Sequence, residues 1–110
     1  RLVGKGMAKY LIMTAEMIPA SEAYRIGLVE KISAPEELIA EAEKVAKTIA
    51  SKAPIAIATA KTAINNGYDM DIKNAVEMEA NLFGVTCSTH DKQEGMTAFL
   101  EKRKADLTDF

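Results

Sequence analysis

The sequence has one cysteine and one histidine, and both limits exclude chemistry. Cys87 has no partner for a disulfide within the chain, which is typical of proteins from a reducing compartment. His90 lacks the neighbouring histidines and cysteines that a zinc site requires, so we expect no metal site. Cys87 lies three positions before His90 with no third group to orient the two. We therefore interpret Cys87 as an apolar packing residue rather than a nucleophile.

The sequence also lacks a strong charge imbalance and a long apolar run. A net charge of −2 gives no basis for expecting nucleic acid or an anionic membrane as partner. No apolar stretch approaches the ~20 residues of a membrane-spanning helix. Walker, Rossmann and nucleophile-elbow motifs are missing. The 110 residues, 48% apolar and 27% charged, correspond to one ordinary globular domain without a recognisable active site of its own.

Apolar spacing predicts a mainly helical fold of about five to six helices plus one short strand. A first helix is expected from Gly4 to Thr14. A short second helix is expected after Pro19, which is tolerated at a helix start, and it should end at Gly27, which favours the left-handed conformation of a helix stop. Leu28–Ile32 is the only stretch typical of a strand, and no other segment offers it an obvious partner.

Three longer segments complete the helical pattern. Ser33, followed by Glu36 three residues later, predicts a capped helix that continues to about Ser51. The segment Ile55–Asn66 is apolar nearly all round, and we expect a helix buried on most sides at the centre of a bundle. A further helix is predicted over residues 71–87.

The helix over residues 71–87 has two adjoining apolar rows. The first row consists of Ala75, Met78, Leu82 and Val85, and the second of Val76, Ala80, Phe83 and Cys87. So broad an apolar surface predicts contact with two bodies, one in this chain and one outside it. Glu79 falls among these rows, and we expect a structural ion pair there rather than a catalytic acid.

The final helix, predicted over Asp91–Lys104 with Ser88 or Thr89 as its cap, carries the strongest functional pattern. Phe99 precedes Lys102 by one helical turn, so the two side chains can contact the same ligand. An aromatic ring can stack on a nucleotide base while an ammonium group meets a phosphate. A basic cluster at a helix C-terminus is also favoured by the helix macrodipole without any ligand. Both interpretations remain open on the pattern alone.

Several segments in order resemble the C-terminal part of the crotonase (enoyl-CoA hydratase/isomerase) superfamily, most closely its bacterial short-chain hydratases. They are Arg1–Gly4, Met13–Ala23 with Gly27–Val29, Ala53–Pro54 with Ala60–Lys61, and Glu94–Lys104. The resemblance implies that residues 1–110 form the C-terminal helical region, and that the N-terminal spiral of ββα units lies outside them. The chain opens on Arg1 with hardly any lead-in before a helix, and we expect it to be a piece of a longer polypeptide.

The resemblance further implies a lyase that adds water reversibly to the double bond of 2-enoyl-CoA thioesters, such as crotonyl-CoA. The two catalytic glutamates and two oxyanion-binding N–H groups of such enzymes would lie before Arg1, so no catalytic residue is expected here. Phe83, Phe99 and Lys102 match substrate- and CoA-binding positions, and Arg103 matches a structural ion pair. No separate cofactor is implied, because coenzyme A is part of the substrate. Ala105 departs from the family pattern, where a proline is usual.

The implied partners are the acyl-CoA substrate and further copies of the chain, as a trimer or a dimer of trimers, in the cytoplasm. We expect the isolated fragment to be inactive and to self-associate. Two alternatives remain. One is an enoyl-CoA isomerase or another acyl-CoA enzyme of the same family. The other is a freestanding helical protein-interaction module.

Overall fold

The computed structural model describes residues 1–108, and all regular structure in this range is helical. The elements are α1 (Gly4–Thr14), α2 (Ala20–Arg25), a 3₁₀ turn (Pro35–Glu37), α3 (Leu38–Ala50), α4 (Pro54–Gly67), α5 (Ile72–Cys87) and α6 (His90–Glu101). The prediction of a mainly helical chain is confirmed. The chain divides within α3 into two compact units, Arg1–Glu43 and the residues from Lys44 onward.

Both ends of α2 follow the sequence signals, whereas the end of α1 does not. Pro19 is extended (φ −70°, ψ 159°) and precedes the first residue of α2. Gly27 has a φ of 74°, which confirms its predicted role just after the end of α2. At the end of α1, Ala15 takes the left-handed conformation with a φ of 52°, and its N–H donates to the Leu11 carbonyl. A left-handed non-glycine residue costs on the order of 1–2 kcal/mol.

The predicted strand at Leu28–Ile32 is wrong, because this segment has no strand conformation. The N–H groups of Leu28 and Val29 both donate to the Ala23 carbonyl, at 2.9 and 3.4 Å, and so close the end of α2. Residues 1–108 contain no strand with which this segment could pair. An extended segment without a partner cannot satisfy its backbone groups as a sheet does.

The predicted capping role of Ser33 is also wrong. The N-cap is Ala34, which is extended (φ −62°, ψ 146°) and makes no side-chain capping bond. Pro35 explains the shift, since the residue before a proline is restricted to extended conformations. Pro35 then opens the 3₁₀ turn that leads into α3.

In the second unit, α4 packs along α5, and α5 also contacts α6. Gly67 marks the close approach of α4 to α5, since a Cβ at this position would lie 3.5 Å from the Ala75 Cβ. The prediction that α4 is buried on most sides is wrong for this chain. No residue of α4 is buried, and Ile64 is 71% exposed. The α4 sequence is apolar nearly all round, but only one of its faces is covered by the described residues.

The chain has more accessible surface than a folded monomer of its mass, and many large apolar side chains contribute to it. Within residues 1–108 the only buried residues are Ala98 and Asp91. The accessible surface is 8953 Å², about 3,000 Å² more than the roughly 6,000 Å² expected for a folded monomer of this mass. A standard protein interface buries about 800 Å² on each partner. The excess area therefore corresponds to several interfaces' worth of unpartnered surface.

The chain reverses direction after α6. Thr89 caps the helix start, its Oγ1 accepting from the Lys92 N–H at 3.2 Å, which confirms one of the two predicted caps. The helix ends at Glu101, three residues earlier than predicted. Lys102 is left-handed (φ 54°, ψ 37°), and the Arg103 N–H donates to the Ala98 carbonyl at 3.0 Å. This bond pattern is that of a Schellman helix end with lysine in place of the usual glycine.

A cluster that we call the C-terminal clamp, consisting of Glu94, Arg103 and Asp106, holds the reversed segment against α6. The Arg103 guanidinium donates to both oxygens of Glu94, at 2.5 and 2.9 Å. The Asp106 N–H donates to the same carboxylate at 2.9 Å. One turn earlier, the buried Asp91 accepts from the Thr108 N–H at 2.8 Å. The predicted structural ion pair of Arg103 is thereby confirmed.

The C-terminal clamp predicts a specific pH dependence. Hydrogen bonds from Arg103 and then from the Asp106 N–H lower the pKa of Glu94 from its usual 4.5 to about 2. Because the folded-state pKa is the lower one, the stabilisation by ionised Glu94 is complete above about pH 4.5 and is lost as the pH falls towards 2. We expect an NMR titration of the Glu94 side-chain carboxyl carbon to follow this low pKa.

Replacing Glu94 by glutamine should remove this contribution to the pH dependence of stability, because the amide that then faces Arg103 and the Asp106 N–H does not titrate. Glu77→Gln, on the exposed polar stripe of α5 (Lys73, Glu77 and Asn81), is the matched control and should leave the titration unchanged. A Glu94 carboxyl that titrates near pH 4.5 in the unmodified chain would contradict the assignment.

Candidate functional site

A groove between α4 and α5, which we call the α4–α5 groove, is a concave feature of the second unit. Its volume is about 590 Å³, within the range of ligand pockets in proteins. Ala60, Ala63 and Ala75 are among the small side chains that line it, while Phe83 and Ile64 stand at its wall. Phe83 is 69% exposed. The groove can therefore receive an apolar chain or an apolar surface without rearrangement of the two helices.

Glu79 is the only charged residue that lines the α4–α5 groove. The expectation of a buried Glu79 in a structural ion pair is wrong for this chain, because its side chain is exposed and makes no ion pair with the residues that the structure describes. The cause is the same as for α4, since the second apolar row of α5 has no covering element. Val76, in that row, is 55% exposed.

The end of α6 carries the predicted nucleotide-contacting pair. Phe99 lies in the last turn of the helix and is 83% exposed, so one face of its ring is open to a planar ligand. Lys102 lies outside the helix, but its N–H still donates to the Phe99 carbonyl at 3.3 Å. The turn therefore closes as the sequence pattern requires, and Lys102 follows Phe99 by one turn of backbone.

The three cations after α6 differ in their availability. Arg103 uses its Nε for Glu101, at 2.6 Å, and its two terminal nitrogens for Glu94. A guanidinium that already serves two carboxylates has little capacity left for a phosphate. Lys102 and Lys104 form no ion pair with any residue in the range 1–108. Among the described residues, Lys102 is thus a cation without an ion-pair partner, and it follows the exposed Phe99 by one turn of backbone.

The structure brings Phe99 and Lys102 together in one turn of backbone. Phe83 is not part of this pair, because it lines the α4–α5 groove whereas Phe99 and Lys102 do not. The partner of Arg103 was missed by sequence reasoning. Glu94 and Arg103 are nine positions apart, which no helical spacing pairs. The contact exists because the left-handed residue at 102 folds the chain back, and a lysine gives no sequence signal for that turn.

Residues 1–108 contain no group of three or more histidine, cysteine, aspartate or glutamate side chains that could hold a metal ion. Within the same range, none of the helices is both long and apolar enough to cross a bilayer. Cys87 is a free, exposed thiol at the end of α5.

Curated relatives match nearly the whole chain. It is 54% identical over 107 residues to the crotonyl-CoA hydratase of Syntrophomonas wolfei, covering 97% of this chain and 41% of that protein. It is 51% identical over 106 residues to the short-chain-enoyl-CoA hydratase of Clostridium acetobutylicum, covering 96% of this chain and again 41% of the relative. The chain thus spans about two fifths of the length of these relatives.

The fold comparison and the family comparison agree. A crystal structure of an enoyl-CoA hydratase from Geobacillus kaustophilus HTA426 superimposes with a TM-score of 0.96 at 33% identity, covering all of this chain and 42% of that one. The family model for enoyl-CoA hydratase/isomerase matches residues 1–109. The chain therefore belongs to the enoyl-CoA hydratase/isomerase family.

Proposed function

We propose that this chain is the C-terminal helical region of an enoyl-CoA hydratase, a lyase that adds water reversibly to short-chain 2-enoyl-CoA thioesters such as crotonyl-CoA. The observation that carries the proposal is the 54% identity to a crotonyl-CoA hydratase across 97% of this chain. The helical region supplies binding surface, while the residues that act on the double bond belong to a preceding domain of the same enzyme.

Within this function, Phe99 stacks on the adenine of CoA and Lys102 contacts its phosphates. The exposed ring and the unpaired ammonium support these roles, since both groups are open to a ligand. Phe83 borders the pantetheine or acyl end of a substrate, supported by its place at the wall of an apolar groove. CoA enters as part of the substrate, and no further cofactor is required.

The proposed assembly is a homo-oligomer, a trimer or a dimer of trimers, in the cytoplasm. About 3,000 Å² of surplus surface supports this assembly, because a helical region of this kind must be covered both by its own catalytic domain and by neighbouring copies. The second apolar row of α5, with Val76 and Phe83, would lie in such a contact.

The function is tested with the longer protein that contains these residues. We expect it to hydrate crotonyl-CoA, measured as the loss of ultraviolet absorbance of the conjugated thioester. Shifting a 3-enoyl-CoA double bond without hydrating crotonyl-CoA would instead identify an isomerase of the same family. Activity on neither thioester would overturn the proposal and favour a helical interaction module.

Replacing Phe99 by alanine in that enzyme should raise the KM for crotonyl-CoA roughly 5- to 150-fold, because base stacking contributes ~1–3 kcal/mol. Lys102→Met should raise it by about fivefold at most, since an exposed cation–phosphate contact contributes roughly 0.2–1 kcal/mol. The matched control for the second change is Lys104→Met.

The substrate provides a second control for these two variants. Crotonyl-N-acetylcysteamine has the same reacting thioester but no nucleotide, so both variants should hydrate it as the unmodified enzyme does. Equal losses on both thioesters would show that the changes act on the fold instead of the nucleotide.

The isolated chain of 110 residues should be inactive and should bind CoA no more tightly than about 1 mM. Stacking at Phe99 (~1–3 kcal/mol) and the Lys102 contact (roughly 0.2–1 kcal/mol) together contribute at most about 4 kcal/mol, which corresponds to millimolar affinity. Isothermal titration calorimetry with CoA checks this. Submillimolar binding, or measurable hydration of crotonyl-CoA by the isolated chain, would contradict it.

The isolated chain should also self-associate, because contiguous exposed apolar surface is covered by whatever copy is available. Phe83→Glu places a charge at the wall of the α4–α5 groove and should shift the sedimentation profile towards monomer. Asn81→Glu adds the same charge to the polar stripe of α5 and is the control. Identical profiles for the two variants, or a strictly monomeric unmodified chain at high concentration, would argue against association through the groove.

A further inference from the structure

Lys102 has a backbone conformation that it would not adopt unaided. Its φ of 54° is left-handed, and side chains other than glycine and asparagine rarely take this conformation. Such a residue keeps its conformation only when the surrounding contacts fix it. The direction in which the Lys102 side chain leaves the backbone therefore depends on those contacts.

The contacts lie on both sides of Lys102. Before it, Glu101 is the last residue of α6. After it, Arg103 is tied to the helix by its N–H, which donates to Ala98 at 3.0 Å, and by its guanidinium on Glu94. The two parallel bonds from one guanidinium to one carboxylate form a strong and directional pair.

Glu94 serves a second purpose in the same place. Its Oε1 accepts from the Asp106 N–H at 2.9 Å, so one carboxylate holds both ends of the segment that follows Lys102. The Glu94 side chain is only 15% exposed, which limits competition by water. Removing this charge would weaken the hold on the Arg103 guanidinium and on the Asp106 N–H together, and would leave the left-handed turn chiefly to its backbone bonds.

We propose that Glu94 is a positioning residue for Lys102: through Arg103 it holds the left-handed turn that directs the Lys102 ammonium towards the phosphates of an acyl-CoA substrate. The inference rests on the proposed function, because it assumes that Lys102 contacts CoA. It assigns no ligand contact to Glu94 or to Arg103, since the Arg103 nitrogens are occupied by Glu94 and Glu101.

The test is a double-mutant cycle in the full-length enzyme, read as the ratio of kcat/KM for crotonyl-CoA to that for crotonyl-N-acetylcysteamine. Glu94→Gln should lower this ratio by the same factor as Lys102→Met, about fivefold at most. The double variant Glu94→Gln/Lys102→Met should show no further loss, because the two residues act as one unit. Combined with Phe99→Ala, Glu94→Gln should act additively.

Conservative changes separate positioning from folding. Arg103→Lys keeps the positive charge but loses the bidentate hydrogen bonds to Glu94. It should therefore reproduce the effect of Glu94→Gln on the ratio. This second variant keeps the test decisive where Glu94→Gln does not fold. Glu77→Gln is the neutral control and should leave the ratio unchanged.

Three results would overturn the inference. An unchanged ratio in both clamp variants would show that Lys102 does not depend on Glu94. Equal losses on both thioesters would assign Glu94 a purely structural role. Additive losses in the Glu94→Gln/Lys102→Met double variant would show that the two residues act separately. An unmodified enzyme that hydrates neither thioester overturns the proposed function itself, and is distinguished from the other results by that absence of activity.

Discussion

The constraint that governs this chain is the shortage of partners for its apolar surface. A folded protein is stabilised chiefly by removing apolar area from water. Here α4 and α5 cover one face of each other and leave their other faces open, so that Ile64 and Phe83 are mostly exposed. The same shortage explains the open α4–α5 groove and the exposed Glu79. The apolar composition of this helix pair is therefore explained only if another surface covers its open faces.

The helices themselves were predictable, because their signals are local. Apolar spacing located α1 to its exact observed bounds, and Pro19 and Gly27 marked the limits of α2. Local signals failed where two of them competed. At Ser33 the sequence offered a serine cap, but Pro35 restricted the preceding residue and moved the helix start. Burial was mispredicted for α4 because an apolar sequence specifies that a face will be covered without specifying by which chain.

The site divides along the same line. Phe99 and Lys102 were identifiable from their spacing and from the family resemblance, and their exposure and lack of ion pairs follow that reading. Their roles at the substrate remain predictions. The C-terminal clamp was not identifiable as a whole, because it depends on a left-handed residue that is a lysine. A glycine at position 102 would have predicted the chain reversal, and the reversal would have predicted that Glu94 lies close to Arg103.

Within residues 1–108, two helices end on residues with a Cβ in the left-handed conformation, Ala15 after α1 and Lys102 after α6. At Lys102, the proposed contact of the side chain with a phosphate gives a reason for the backbone strain. Ala15 has only a methyl group, and nothing in the structure explains why it occupies that position in preference to glycine. Replacing Ala15 by glycine is therefore a route to higher thermal stability, because natural proteins are seldom at their stability optimum.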